Sequence, residues 1–308
     1  MADLSVQLGE MSFCNPVCLA SGTAGYGPEV ASWYDLNELG GFFSKAVTLE
    51  PRSGNALPRV CELPTGMLNT IGLANPGVSR FISEQLPGWE ELKTRLFVNV
   101  AGSTADDYVE CCRRLEQAPR LDGLEINVSC PNVKQGGISF SADLGDLAAL
   151  VRRCRETTRR LLIIKLSPQV TDIVSVAQVC ADEGADAISL INTIPGMSID
   201  IGSRRTRLST GIGGYSGPGI KPVALAQVYR VARAVSLPII GIGGISSAAD
   251  ILEFILAGAS VIQVGTYNFV QPDAGRKLVK ELDQLCHQLG IEQLSSAVGT
   301  VELPVTTA

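Results

Sequence analysis

Residues 161–166 read L-L-I-I-K-L. The run is apolar at every position but Lys165 and does not alternate, which is the pattern of a strand covered on both faces in a parallel sheet. Seven further runs share the pattern: V-C-L-A at 17–20, F-F-S-K-A-V at 42–47, L-F-V-N-V at 96–100, L-E-I-N-V at 124–128, A-I-S-L-I at 187–191, P-I-I-G-I at 238–242 and V-I-Q-V at 261–264. Between most of them the apolar period changes to that of a helix, most clearly over 107–116, 144–158, 173–182, 222–234 and 248–256. Gly184, Gly258 and Gly290 stand where helix C-caps favour glycine. Eight strands alternating with helices predict an α/β protein, a (β/α)8 TIM barrel closed on itself, with a doubly wound open sheet as the alternative. A β-hairpin is expected at 3–13, and the pattern reads as a single domain over 1–308 with no linker and no repeat. Two connections, 48–95 and 192–218, are long for a compact domain and point to extended active-site loops.

Composition narrows the function. The 308 residues are 45% hydrophobic and 18% charged, with a formal net charge of −6. That balance argues against a sequence-independent grip on nucleic acid, which needs clustered Lys and Arg. A small anion in a local basic pocket is still compatible with it. The opening M-A-D-L-S-V-Q-L-G-E has no basic region followed by an apolar one, and no long apolar run follows, so neither a signal peptide nor a membrane span is expected. The nine cysteines are an odd number and form no C-x-x-C, which fits a reducing, cytoplasmic setting. Cys14 and Cys18 have no matching second pair and read as packing residues, so no metal site is expected. His287, the single histidine, falls in a polar helical segment and reads as a surface residue. Acid–base chemistry must therefore use other side chains.

Those side chains collect where an α/β barrel keeps its active site, at the C-terminal ends of the strands. Ser21, Gly22, Lys45, Asn99, Asn127 with Cys130, Lys165, Asn192 with Thr193, Gly243 with Gly244, and Gly265 with Thr266 all take such positions. A lysine inside L-I-I-K-L is costly to bury unless an anionic group meets it. G-I-G-G-I at 241–245 and G-T at 265–266 follow the seventh and eighth strands, a recurrent phosphate site in barrels. The first cluster fails the dinucleotide fingerprint, because Ser246 stands where the third glycine would be. In E-I-N-V-S-C-P-N, residues 125–132, a thiol sits in a proline turn between amides, where a strand gives way to a loop. Nearby cations lower a thiol's pKa, and the thiolate can act as a general base. Val133 to Gly137 carries two glycines and reads as a lid that excludes water.

N-V-S-C-P-N together with S-K-A-V-T at 44–48 and G-M-L-N-T-I-G-L-A-N-P-G at 66–77 resembles the dihydroorotate dehydrogenase family. The likeness runs from A-S-G-T-A-G-Y-G at 20–27 to Q-V-G-T at 263–266. It implies an FMN-binding barrel that oxidises dihydroorotate to orotate in pyrimidine biosynthesis, taking a proton from C5 and a hydride from C6. Cys130 matches the base of the soluble class; the membrane-bound class has a serine base and an N-terminal extension. L-E-P-R-S-G-N at 49–55, G-M-L-N and I-N-T-I-P-G-M-S-I-D at 191–200 resemble the NAD-dependent subclass. There an electron-transfer partner subunit carries FAD and a 2Fe–2S cluster, and a homodimer core lies within a heterotetramer. The fumarate-using subclass is the runner-up.

On the resemblance, Cys130 and Lys45 are the catalytic residues. Lys45, Asn69, Thr70, Ile71, Gly72, Leu73, Asn127, Asn132, Asn192 and Thr193 hold the substrate, since amides suit a planar ring that both donates and accepts hydrogen bonds. Ser21, Lys45, Ala46, Asn99, Asn127, Lys165, Ile191 and Gly217 line the flavin, and Gly243, Gly244, Gly265 and Thr266 hold its phosphate. Rival readings are a dihydropyrimidine-type dehydrogenase, whose asparagine set differs, a tRNA dihydrouridine synthase, which calls for a basic surface and an RNA-binding region, and a scaffold subunit that merely binds flavin.

Overall fold

Eight strands close into a barrel in the computed structural model, which describes residues 2–129, 131–132 and 138–304. They are β1 (Val17–Leu19), β2 (Gly41–Phe43), β3 (Arg95–Val100), β4 (Gly123–Asn127), β5 (Leu161–Leu166), β6 (Ala187–Leu190), β7 (Ile239–Ile242) and β8 (Ala259–Val264). Each pairs in parallel with the next, and β8 pairs back to β1, so no edge is left open. Leu162, Ile163, Ile164 and Leu166 of β5 are all fully buried, as the unbroken apolar run requires. Each such side chain contributes about 1.5–3 kcal/mol relative to remaining exposed.

The outer ring contains α1 (Ala105–Glu116), α2 (Leu144–Thr157), α3 (Ile173–Asp182), α4 (Lys221–Ala232), α5 (Ala248–Ala257) and α6 (Ala274–Gln288). α1 shows how sequence sets these helices. Thr104 caps the Asp107 N–H while the Asp107 carboxylate accepts from the Thr104 N–H, a closed capping box. Tyr108, Cys111, Cys112 and Leu115, at helical spacing, form its buried face. Gly184, Gly258 and Gly290 all have positive φ, the conformation a helix-ending glycine supplies. The hairpin Val6–Leu8 with Met11–Phe13 lies within the span predicted for it.

Two expectations, on the second strand and on Cys14, need correction. The second strand ends at Phe43, because after the Ser44 N–H bonds to Phe97 the chain turns away at Lys45, whose N–H bonds to Gly25, and rejoins through a bridge between Val47 and Val100. Only short helical turns (Pro28–Ala31, Leu36–Glu38) separate β1 from β2. Cys18 packs inside the barrel as predicted, but Cys14 is exposed. The neighbouring Asn15 side chain takes the inward place, accepting from the Val17 and Gly40 N–H groups.

The two long connections fold together into an antiparallel sheet over the barrel mouth. Its order is Ile194–Met197, Ile212–Ser216, Gly66–Asn69, Val60–Leu63. Pro131–Asn132 pairs with Ile138–Ser139 beyond β4. Cys130, the expected base, and 133–137, the expected lid, lie outside the described residues, as does the Asn132 side chain.

Candidate active site

Strand alternation turns Asn99, Glu125, Asn127 and Lys165 into the barrel, and Glu125 links Asn99 by a hydrogen bond and Lys165 by charge. Glu125, fully buried, accepts from Asn99 Nδ2 at 2.6 Å, Ser189 Oγ at 2.9 Å and Gln263 Nε2 at 2.8 Å. Lys165, only 5% exposed, places Nζ 3.7 Å from Glu125 Oε2 and donates to Ser21 Oγ at 3.0 Å. The lysine buried in the β5 run is thus met by an anion, as its cost demands. Cys18 faces the same carboxylate, and burial first, then the neighbouring Cys14 and Glu125, push its thiol well up.

Toward the mouth, Asn192 Nδ2 donates to Asn127 Oδ1 at 3.2 Å and to Ser129 Oγ at 3.0 Å. Asn192 Oδ1 accepts from the Thr193 N–H, and the Asn127 backbone oxygen accepts from Tyr108 Oη at 2.7 Å. The antiparallel sheet brings in the next residues. Asn69 Nδ2 donates to the Gly214 oxygen, and a Cβ on Gly214 would lie 2.2 Å from Thr193 Oγ1, so Asn69, Thr193 and Gly214 share one corner.

The predicted phosphate residues also converge. Thr266 Oγ1 bonds Ser216 Oγ at 2.8 Å, next to Gly217. A Cβ on Gly244 would stand 2.9 Å from the Gly217 oxygen, and one on Gly217 would stand 2.6 Å from Gly66 Cα. Gly217, Gly243 and Gly244 all have positive φ. Without side chains these loops approach one another more closely than a Cβ at any of the three would allow. The glycines at 243–244 precede α5 rather than begin it, because the Ser247 side chain caps that helix. Gly265 lies against Ala20, beside Ser21.

Lys45 is half-buried at the exit of β2. Desolvation, with the Arg59 charge adding to it and Glu29 opposing, holds its ammonium below the ordinary lysine range. Ala46 is half-buried beside it and Ile191 is buried, its N–H bonded to Ile242. The stretch Thr70–Leu73 is fixed by other residues. Asn55 Nδ2 donates to Thr70 Oγ1 at 2.8 Å, and the Asn55 N–H donates to the Ile71 oxygen. Gly72 and Leu73 both take positive φ.

Sequence reasoning missed several participants. Glu125 stood in a run read as apolar, yet it shares parity with Asn127, so a charge on that inward face was a usable signal. Ser189 and Gln263 carried the same signal in β6 and β8. Asn75 was quoted only as part of a motif. Its amide is fully used: Oδ1 accepts from Thr48 N and Gly77 N, while Nδ2 donates to Thr48 Oγ1 and the Leu73 oxygen.

The family model described as dihydroorotate dehydrogenase matches residues 3–286. A protein of Pelobacter propionicus, named dihydroorotate dehydrogenase B (NAD(+)), catalytic subunit, is 50% identical over 97% of this chain and 99% of its own. Proteins of the same name from Trichlorobacter lovleyi and Parabacteroides distasonis are 50% and 46% identical, over 97% and 98% of this chain and 98% and 99% of theirs. A match of this extent, on a closed barrel whose strand ends carry these amides and lysines, shows that the chain belongs to the dihydroorotate dehydrogenase family.

Proposed function

We propose that this protein is the catalytic subunit of an NAD-linked dihydroorotate dehydrogenase, oxidising dihydroorotate to orotate in pyrimidine biosynthesis. The observation that carries the reading is the convergence at one barrel mouth of a buried lysine, a linked amide pair and closely packed glycine loops. The activity named for relatives near 50% identity supports the same substrate. The antiparallel sheet favours it as well, because it delivers Asn69 and Thr193 to one corner.

The residues present fit FMN. Asn99 Oδ1 is buried without a partner, Lys165 supplies a fixed positive charge, and the loops at Gly217, Gly243, Gly244, Gly265 and Thr266 suit a phosphate. When bound, FMN supplies a two-electron acceptor that no side chain can provide. Ser21, Ala46, Asn99, Ile191 and Lys165 line the place proposed for its ring system.

Asn69, Asn127, Asn132, Asn192 and Thr193, with the backbone at Ile71–Leu73, orient the pyrimidine. Cys130 removes the proton from C5 of dihydroorotate. Lys45 supplies positive charge beside the substrate, and its half-burial strengthens that charge's reach. Lys165 holds positive charge where negative charge develops.

The electrons leave through a partner subunit carrying FAD and a 2Fe–2S cluster, on a homodimer core within a heterotetramer. No group of three or more potential metal ligands is found among the described residues, which is compatible with iron residing on the partner. No described helix is long and apolar enough to cross a membrane, and we place the protein in the cytoplasm. The decisive test is anaerobic mixing of the purified native complex with dihydroorotate, followed by NAD or fumarate. Bleaching of the flavin and return of colour with NAD are expected. A flavin unmoved by dihydroorotate would refute the reading, and return of colour with fumarate alone would move it to the other subclass.

A further inference from the structure

We infer that Glu125 is a positioning residue: it holds Lys165 in place and partly neutralises it, and thereby sets the reduction potential of the flavin. The inference rests on the FMN reading above and extends it to a residue one layer beneath the proposed site.

The barrel interior is ordinarily filled by branched aliphatic side chains. Here three strands, β3, β6 and β8, each direct a donor at one fully buried carboxylate on β4. The two amides among these donors reveal what organises the cluster. Asn99 and Gln263 both turn their NH2 groups toward Glu125, and both leave their own oxygens buried without a partner. For Gln263, whose oxygen faces no proposed ligand, neutral packing would favour a rotation that satisfied it, whereas a buried negative charge explains why it does not occur.

The carboxylate lies 3.7 Å from Lys165 Nζ, beyond hydrogen-bond distance, so their interaction is mainly Coulombic. The hydrogen bond from that ammonium goes to Ser21 Oγ, at the exit of β1. Lys165 is therefore tethered at the mouth by a hydroxyl and balanced from beneath by a charge. Glu125 is too deeply buried for salt to screen it. A flavin beside Lys165 experiences the ammonium diminished by the carboxylate behind it. Removing that negative charge leaves Lys165 less compensated, which stabilises the more negative, reduced flavin and raises its potential.

Glu125→Gln removes the charge and keeps the shape. The new amide replaces one carboxylate oxygen with NH2; placed where Oε1 stood, it can donate to the unpartnered oxygen of Gln263 once that amide turns, while Asn99 keeps its acceptor, so the fold has a way to accommodate it. Glu125→Asp keeps the charge but withdraws it from Lys165 by one methylene. The experiment is a spectroelectrochemical titration of the FMN in the purified holo-complex for wild type and both variants, with the FAD and 2Fe–2S signals, which the substitutions should leave unshifted, fitted as separate couples and flavin content measured alongside. The expected order of potentials is wild type, then Glu125→Asp, then Glu125→Gln at the top. The last should favour reduced flavin about tenfold over wild type, roughly 30 mV for a two-electron couple. A Glu125→Gln potential equal to or below that of wild type would overturn the inference. Should that variant fail to fold, Glu125→Asp decides alone: a raised potential supports the assignment and an unchanged or lowered one overturns it. Wild-type protein without FMN would instead sink the functional reading, so the two failures are distinguishable.

Discussion

Asn192 reaches across the tip of β5 to Asn127, its Nδ2 lying 3.2 Å from Asn127 Oδ1. The contact joins the ends of β4 and β6 and fixes which face of each amide remains available to a planar ring. Such a pair acts as a unit. Asn127→Ala and Asn192→Ala should each lower kcat/KM for dihydroorotate by about a hundredfold, roughly 2.7 kcal/mol. The double variant should lose far less than the product of the two, since either change alone disorganises the other amide. Steady-state kinetics of all three variants measures the coupling, and multiplicative losses would show two independent contacts.

This pair also shows what the sequence made legible. The barrel was readable because parallel strands covered on both faces give unbroken apolar runs, and L-L-I-I-K-L differs from its strand by no residue at either end. Asn127 and Asn192 were readable because each ends such a run. Glu125, Ser189 and Gln263 were not recognised as a group because their strands lie far apart in sequence, Glu125 and Gln263 by 138 positions, and meet only when the barrel closes. The end of β2 at Phe43 was missed for a different reason: Ala46 and Val47 resume the apolar run after the backbone has turned away at Lys45 to bond with Gly25. Residue type recorded the burial there and not the change of direction.

Cys130→Ser tests the proton transfer assigned from the sequence. A hydroxyl is a much weaker base than a thiol at neutral pH, and general-base catalysis is worth about 10²–10⁴-fold. The variant should retain its flavin and lose at least about a hundredfold in the rate of flavin reduction by dihydroorotate. Part of that loss should return as pH rises. Rapid-mixing absorbance across a pH series measures both effects. Near-normal reduction at neutral pH would remove Cys130 from the role.

Lys45 predicts an alkaline limb. Desolvation first, and the Arg59 charge second, lower its ammonium from the ordinary range. Its cation is therefore lost at a lower pH than that of a solvent-exposed lysine, near 10.4. The pH profile of kcat/KM should fall on the alkaline side before that value, and Lys45→Arg, whose charge does not titrate there, should lack the limb. The linkage has a definite sign. A lysine depressed in the folded state costs stability below its folded pKa, and that cost fades as pH rises toward its unfolded value. Wild type should thus gain stability relative to Lys45→Gln over that alkaline interval in denaturant titrations.

Asn75 predicts a binding defect that originates in the backbone. Asn75→Ala leaves the buried N–H groups of Thr48 and Gly77 without their acceptor. Each orphaned donor costs about 1–3 kcal/mol, so unfolding free energy should fall by about 2–6 kcal/mol. The same change frees the loop that carries Ile71–Leu73 from the exit of β2. KM for dihydroorotate should rise several-fold while kcat changes little. Loss of kcat with KM unchanged would mean that this loop acts on chemistry rather than on binding.

Lys165 and Glu125 require their roles in stability and chemistry to be separated. Lys165→Ala leaves the Glu125 carboxylate buried and uncompensated, and breaking a buried pair from one side costs about 3–5 kcal/mol. That variant should therefore melt early as well as reduce flavin slowly, and slow turnover alone would not identify the cause. Combining Lys165→Ala with Glu125→Gln removes the stranded charge. The double variant should recover most of the lost unfolding free energy, since no buried charge is left stranded and its amide can donate to the free oxygen of Gln263. Flavin reduction should stay impaired, because the positive charge is still absent. Urea unfolding and single-turnover reduction on the same samples separate the two effects. Recovery of both together would show that Lys165 serves the fold and not the reaction.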